Sequence, residues 1–222
     1  MPSISKKIFY LACMKQRIDQ STWERKEHYA FFSKFDEPIY GVTVPVDCTK
    51  AYQTAKEKGV SFFMYYLYRA LQAFNAIENF RLRIYEGEVY LYDVTHASTT
   101  MLREDKTFGF TYIDYHPDEQ VFLEGALSEI ARVKANSGLE LRDVEPNMVQ
   151  CSALPWLDFT GLSHARSFSR IDSCPKISFG KLVDEAGAKR MNISIHVHHG
   201  LVDGYHIGLF VEKFQQLLDG VA

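Results

Sequence analysis

Apolar and polar positions along this chain follow two rhythms, one of period two and one of helical spacing. Ile39 to Val46 alternates with β-branched residues, which predicts a strand. Pro45 within it predicts a sheet edge, because proline has no N–H to give a ladder. Arg81 to Tyr85 and Glu88 to Tyr92 flank Glu86-Gly87, a two-residue hairpin signal. Ala97 to Arg103 and Thr107 to Tyr112 flank a second turn at Glu104-Asp105-Lys106. Val149 to Leu154, Lys176 to Leu182 and Lys189 to His199 complete the strands, the last two joined through Asp184-Glu185-Ala186-Gly187. Helical spacing governs the rest. Ser21 with Glu24 has the capping-box pattern, predicting a helix from about Thr22 to Phe32. Thr49 to Lys58 is polar-faced and stops at Gly59. Ser61 precedes Phe62 to Ala76, apolar on almost every side and therefore expected to be buried. Pro117 opens a helix to about Asn136, with Val121, Phe122, Leu127, Ile130 and Val133 at helical spacing, and Tyr205 to Leu218 closes the chain. Leu139 to Met148 reads as an irregular loop. Hairpins and helices without βαβ alternation predict an α+β layered sandwich.

The 222 residues suit one full-sized domain. A chain of that length buries roughly 70% of its unfolded surface and needs no metal or disulfide staple. The 25 Lys and Arg against 28 Asp and Glu give a net charge of -3, which argues against a partner in nucleic acid or an anionic membrane. The 16 Phe and 13 Tyr supply side chains that line apolar pockets. Cys13, Cys48, Cys151 and Cys174 form no C-x-x-C and no zinc spacing; they are expected as buried thiols in a reducing cytosol, which makes the protein cytoplasmic. The apolar run Ile8 to Ala12 is too short for a signal peptide. Ser61 to Ala76, broken by Arg69, is too short for a membrane span.

The candidate chemistry lies in Ile193 to His206. Strand alternation sends Ile193, Ile195, Val197 and His199 to one face and Asn192, Ser194, His196 and His198 to the other. His199 ends an apolar row at the strand's rim, four residues before Asp203. An imidazole so placed suits a general base, since its ordinary pKa is about 6.5. A satisfied core histidine fits the same pattern. Metal binding is the third reading, because His196 and His198 have a ligand spacing on a shared face. No third ligand joins them there, so packing or hydrogen bonding on the sheet's other side is expected.

His198-His199-Gly200-Leu201-Val202-Asp203-Gly204 matches the pattern H-H-x-x-x-D-G. It resembles both chloramphenicol acetyltransferase and the lipoyl acyltransferase cores of 2-oxo acid dehydrogenases. Trp23-x-Arg25-x-x-His28-Tyr29 and Ser152-Ala153-Leu154-Pro155-Trp156 are similar to the amino-terminal and central signatures of the chloramphenicol acetyltransferase family. Asn79-Phe80-Arg81 and Lys176 to Lys181 fall in the same order. The likeness runs from about Trp23 to Leu218.

That resemblance implies a two-layer α/β sandwich with a mixed, largely antiparallel sheet, residues 21–222 forming one acyltransferase domain after an extension at 1–20. It implies an acetyl-coenzyme A-dependent O-acetyltransferase acting on chloramphenicol, without a metal, assembled as a homotrimer with active sites between subunits. His199 would be the base, Ser152 the hydrogen-bond donor to the oxyanion, and Asp203 a partner of Arg25 in an ion pair that holds the loop after the base. Trp156, Phe63, Ser178 and Lys181 fall where the family meets coenzyme A or orders water near the base. Phe31, Phe32, Thr100, Phe108, Phe110 and Gln150 would line the acceptor pocket.

The chain also departs from the family's pattern. Ser33 to Pro38 is more acidic than the family's acceptor-binding loop, His164 and Arg166 stand where apolar side chains are usual, and Gln150 replaces a common Asn. All three touch acceptor choice rather than acyl transfer. The same chemistry on another small hydroxyl compound, and a non-catalytic trimeric binder, are the alternatives.

Overall fold

The computed structural model describes residues 14–144, 146–167 and 171–221. Cys13 and the run Ile8 to Ala12 lie outside them. In chain order the elements are β1 (Lys15–Arg17), α1 (Lys26–Phe32), β2 (Ile39–Asp47), α2 (Thr49–Glu57) and α3 (Phe62–Ala76). A 3-10 turn at Glu78–Arg81 follows, then β3 (Leu82–Tyr85), β4 (Glu88–Tyr92), β5 (His96–Leu102), β6 (Phe108–Ile113) and α4 (Glu119–Ala135). The chain ends with β7 (Met148–Ala153), β8 (Lys176–Glu185), β9 (Ala188–His198) and α5 (Gly204–Leu218).

Six strands form one sheet in the order β2-β9-β8-β7-β5-β6, with β2 at an edge as its proline requires. β7 runs parallel to β5 and β8, and the other pairs are antiparallel. A smaller antiparallel sheet has the order β1-β4-β3. Lys15–Arg17, inside the stretch expected as an extension, is thus a strand. Both two-residue hairpins close through positive-φ pairs, Glu86 (φ 51) with Gly87 (φ 81) and Ala186 (φ 53) with Gly187 (φ 88). That geometry matches strand twist and favours glycine at the second place.

The fold is a two-layer α+β sandwich. Helices cover the face formed by Ile177, Phe179, Ile193, Ile195 and Val197, all nearly sealed from solvent. Nine of the fifteen α3 residues are buried, as its apolar periodicity predicts. Phe74 of α3 stacks on Phe210 of α5 at 4.2 Å. The opposite face carries Lys176, Ser178, Asn192, Ser194, His196 and His198, also buried. The described parts of the connection between β7 and β8, residues 154–167 and 171–175, lie against this face. Asn192 donates to Asp158 Oδ1 (3.0 Å) and the Phe159 carbonyl (2.9 Å).

Two local expectations are corrected. The Ser21 capping box does not form, because Asp19 is a nearer acceptor. Its Oδ1 takes both the Ser21 N–H (3.0 Å) and hydroxyl (2.7 Å), and α1 begins only at Lys26. In α4 the cap is Asp118, which accepts from Gln120 and Val121. Val121 and Leu127 of the expected apolar row are exposed there.

Arg83 is fully buried and its guanidinium donates to the carbonyls of Phe80, Leu82, Pro146 and Met148 and to Thr95 Oγ1. Carbonyl dipoles replace a counter-ion, and the contacts at Pro146 and Met148 pin the start of β7. Burial pushes the Cys48 thiol up to about 12 and raises Cys151 and Cys174, so none of these is a thiolate nucleophile at neutral pH. No helix among the described residues is long and apolar enough to cross a membrane.

Candidate active site

β2 extends both rows of β9. Tyr40 stands across from Val197, and Ile39 from His198. His199 continues on the Val197 side. Its N–H donates to the Pro38 carbonyl at 2.7 Å. Its ring is stacked between Phe32, centroids 4.0 Å apart, and Tyr40, 4.7 Å. Nδ1 is buried without a partner among the described residues, which leaves Nε2 to meet an incoming group. Tyr40 escaped the sequence reading, although β2 alternation puts it in the row that His199 ends.

The loop after His199 is tied down carbonyl by carbonyl. Arg25, just before α1, reaches the His199 oxygen (3.5 Å) and the Gly200 oxygen (3.4 Å), and Asn79 donates to the Leu201 oxygen (3.0 Å). Arg25 also donates to Asp203 Oδ2 at 2.9 Å. Asp203 Oδ1 accepts from the Tyr205 N–H (3.1 Å) and lies 2.8 Å from His206 Nδ1, so the carboxylate caps α5 as well. Burial raises the Asp203 carboxyl, but Arg25 and His206 outweigh it and hold it at about 2. It is therefore an acceptor only, with no proton to relay near neutrality.

His198 faces the other way. Only 3% exposed, it accepts the Gly200 N–H at Nδ1 (3.2 Å), which puts its ring proton on Nε2. Burial pushes it down to about 4, so it is neutral. A Cβ at residue 200 would lie 3.1 Å from His198 Cε1 and 3.2 Å from the Tyr29 Cα, so the loop passes here because that residue is glycine. His196 packs edge-on to His164, centroids 4.9 Å apart. Burial lowers both, His164 to about 4. Among the described residues no three His, Cys, Asp or Glu side chains gather as a metal site.

Ser152 lies elsewhere. In register with it across the sheet run Ser178, Ser194 and Thr43, a row of hydroxyls in which Thr43 donates to Ser194 at 3.1 Å. Gln150 is exposed on the same face of β7, and Thr100 pairs with Phe110 on the strands beyond, with Phe108 at their edge. Ser178 is sealed, its hydroxyl 3.5 Å from His164 Nε2. Trp156 is 63% exposed. Lys181, exposed too, donates its N–H to the Leu157 carbonyl (2.8 Å) and so flanks the same turn. Phe63 lies edge-on to Tyr66 within α3.

The expected site residues thus fall into two groups. Arg25, Phe31, Phe32, His199 and Asp203 meet at the β2 side of the sheet. Ser152, Gln150, Thr100, Phe108 and Phe110 sit toward the β6 side. Two strand spacings of about 4.8 Å and five residues at about 3.3 Å separate Ser152 from His199 by roughly 19 Å. No pair of side chains spans that gap within one chain.

A cavity of about 260 Å³ opens on the polar face, between the segment after α1 and the segment before β8. Its walls carry Asp36, Glu37, Arg166, Asp172, Lys176 and His198. Arg166 pairs with Glu37 and Lys176 with Asp172. Thr100, Phe108, Phe110 and Gln150, expected around an acceptor, do not line it. The residues that depart from the family's pattern at 36, 37 and 166 do.

A clamped histidine thus stands at one edge of a helix-backed mixed sheet and a serine in a hydroxyl row two strands further in, and the chain is an acyltransferase. The model of the chloramphenicol acetyltransferase family matches residues 14–215, and the chain belongs to that family. A chloramphenicol acetyltransferase of Escherichia coli is 29% identical over 205 residues, covering 91% of this chain and 93% of that protein. One of Bacillus pumilus is 29% identical over 208 residues. A solved structure of chloramphenicol acetyltransferase matches with a TM-score of 0.86 at 34% identity, covering 92% of this chain and 100% of that one. A truncated catalytic core of the 2-oxoacid dehydrogenase multienzyme complex of Thermoplasma acidophilum (TM-score 0.63, 14% identity, covering 88% of this chain and 92% of that one) shares the fold.

Proposed function

We propose that this chain transfers the acetyl group of acetyl-coenzyme A to a hydroxyl of chloramphenicol, using His199 as general base. Nε2 of His199 takes the hydroxyl proton as the oxygen attacks the thioester carbonyl carbon. The Ser152 hydroxyl donates to the resulting oxyanion. Collapse breaks the carbon–sulfur bond, and the leaving thiolate takes the proton from His199. Aromatic stacking on both faces of the imidazole is the observation that carries this reading, because it fixes the base in one plane with Nε2 free. Trp156 and Lys181, both exposed and flanking one turn, suit the coenzyme. Ser178, under His164, suits an indirect part.

The roughly 19 Å between His199 and Ser152 supports a site completed by a second copy, in a closed homotrimer in which each chain gives its base to one site and its serine to the next. Release of the coenzyme A thiol, followed with acetyl-coenzyme A and chloramphenicol, tests the activity; no release above spontaneous hydrolysis refutes it. Mixing tests the sharing. His199→Ala and Ser152→Ala chains, each inactive alone, regain activity when co-expressed. Continued inactivity of the mixture would place both residues in one chain's site.

A further inference from the structure

We propose that His198 is a positioning residue for the acyl transfer: its Nδ1 holds the peptide bond that follows the base, and so aims the His199 ring at the acceptor hydroxyl. The inference rests on the reading of His199 as the base and adds the side chain that points it.

Hydrogen bonding around His199 is the first observation. The peptide before it is held at both ends. The His199 N–H donates to the Pro38 carbonyl (2.7 Å), and the His198 carbonyl accepts from the N–H groups of Leu201 (2.9 Å) and Val202 (3.0 Å). The peptide after it is held at both ends too. The His199 carbonyl takes Arg25 at 3.5 Å, and the Gly200 N–H has one acceptor among the described residues, His198 Nδ1 at 3.2 Å. The Arg25 contact is at the long limit of a hydrogen bond, so His198 gives the firmer hold. Peptide planes on the two sides of a Cα fix the direction of its Cα–Cβ bond. The rings of Phe32 and Tyr40 then fix the imidazole plane.

Close packing is the second. The His198 ring is buried, with Tyr29 of α1 at 6.5 Å between ring centres. Glycine at 200 leaves no side chain between that ring and the loop, since a Cβ there would lie 3.1–3.2 Å from Cε1 and Nδ1. A ring in direct contact with the peptide it accepts from transmits its own fixed seat to that peptide. Only a neutral imidazole has the lone pair this needs, and burial keeps His198 neutral.

The chemistry of the contact separates positioning from mere filling of space. Nδ1 accepts the N–H two residues further along the chain. Asparagine makes the same closure in an Asx turn. A histidine that only filled this space could be replaced by any side chain of similar bulk. A positioning histidine can be replaced only by one with an acceptor at the same reach. Asn has that acceptor at Oδ1, Gln carries its amide one carbon further out, and Leu has none.

His198→Asn, His198→Gln and His198→Leu test this beside the native chain and His199→Ala, by thiol release with acetyl-coenzyme A and chloramphenicol and by thermal unfolding. A base misplaced by about 1 Å can lose about 10²-fold, so kcat is expected to fall at least about tenfold in the Gln and Leu variants, to stay within about threefold of native in the Asn variant, and KM to change by less than about twofold in all three. Equal kcat in the three variants, or losses that follow thermal stability rather than the acceptor, overturns the positioning role while an inactive His199→Ala leaves the base in place. Normal turnover in His199→Ala, or none in the native chain, overturns the underlying reading and this inference with it. Nitrogen-15 NMR of the His198 ring in the native protein at neutral pH needs no variant to fold. The expected state has Nδ1 unprotonated and Nε2 protonated; a proton on Nδ1 overturns the proposal.

Discussion

Replacing Asp203 by asparagine removes one charge and almost nothing else. Asparagine caps helices as well as aspartate does, so the start of α5 loses little. The loss falls on Arg25, whose side chain is only 13% exposed. Breaking a fully buried pair from one side costs about 3–5 kcal/mol. Here Asp203 is 29% exposed, and Arg25 keeps the His199 and Gly200 carbonyls, so the expected cost is nearer 2 kcal/mol. The pH dependence gives the test its sign. The folded carboxyl sits at about 2, below an unfolded value of about 3.9. Its contribution is therefore fully present above about pH 4 and is lost as pH falls through about 2. Urea unfolding of both proteins should show a constant gap from pH 7 to 5, about half of it gone by pH 3. Turnover should fall with stability, because the same charge pair sets the loop that carries His199. An activity loss at unchanged stability, or a gap that persists undiminished at pH 3, would refute the ion-pair account.

His199→Ala should lower turnover by about 10²–10⁴ or more while calorimetry still shows acetyl-coenzyme A binding. Ser152→Ala should cost about 10²–10³ in kcat, and a normal rate in the thiol-release assay would remove the serine from the reaction. Gly200→Ala should lose about 1–3 kcal/mol in chemical denaturation, since its Cβ meets His198 and the Tyr29 backbone at 3.1–3.2 Å. Tyr40→Ala should reduce kcat more than it raises KM, because it frees one face of the base; a change in KM alone would contradict the clamp.

Much of this arrangement is legible in the residues themselves, for reasons that differ by element. Ile39 to Val46 and Ile193 to His198 alternate cleanly, because each strand has one face against helices and one against polar cover. The Ile193 row even predicts the side on which His199 emerges, where it meets Tyr40. The Arg25–Asp203 pair is 178 residues apart in sequence, beyond any local pattern, and was expected only through the resemblance. The cavity was the least legible part. Lys176 with Asp172, and Arg166 with Glu37, come together through the long connection before β8, which has no periodicity to read. The Ser21 capping box shows the opposite failure, a valid local pattern outcompeted by an aspartate two residues upstream.

The three residues of β1 carry a consequence out of proportion to their length. They cover the outer edge of β4, whose N–H and C=O groups would otherwise face solvent as a template for another chain. Lys15 fastens the cover, its ammonium 5.6–5.7 Å from the ring centres of Tyr85, Tyr90 and Tyr92. A chain trimmed to begin at Ser21, after this strand, should keep its catalytic sheet intact yet aggregate edge to edge, so that the first symptom of losing β1 is poor recovery from expression rather than a slower reaction.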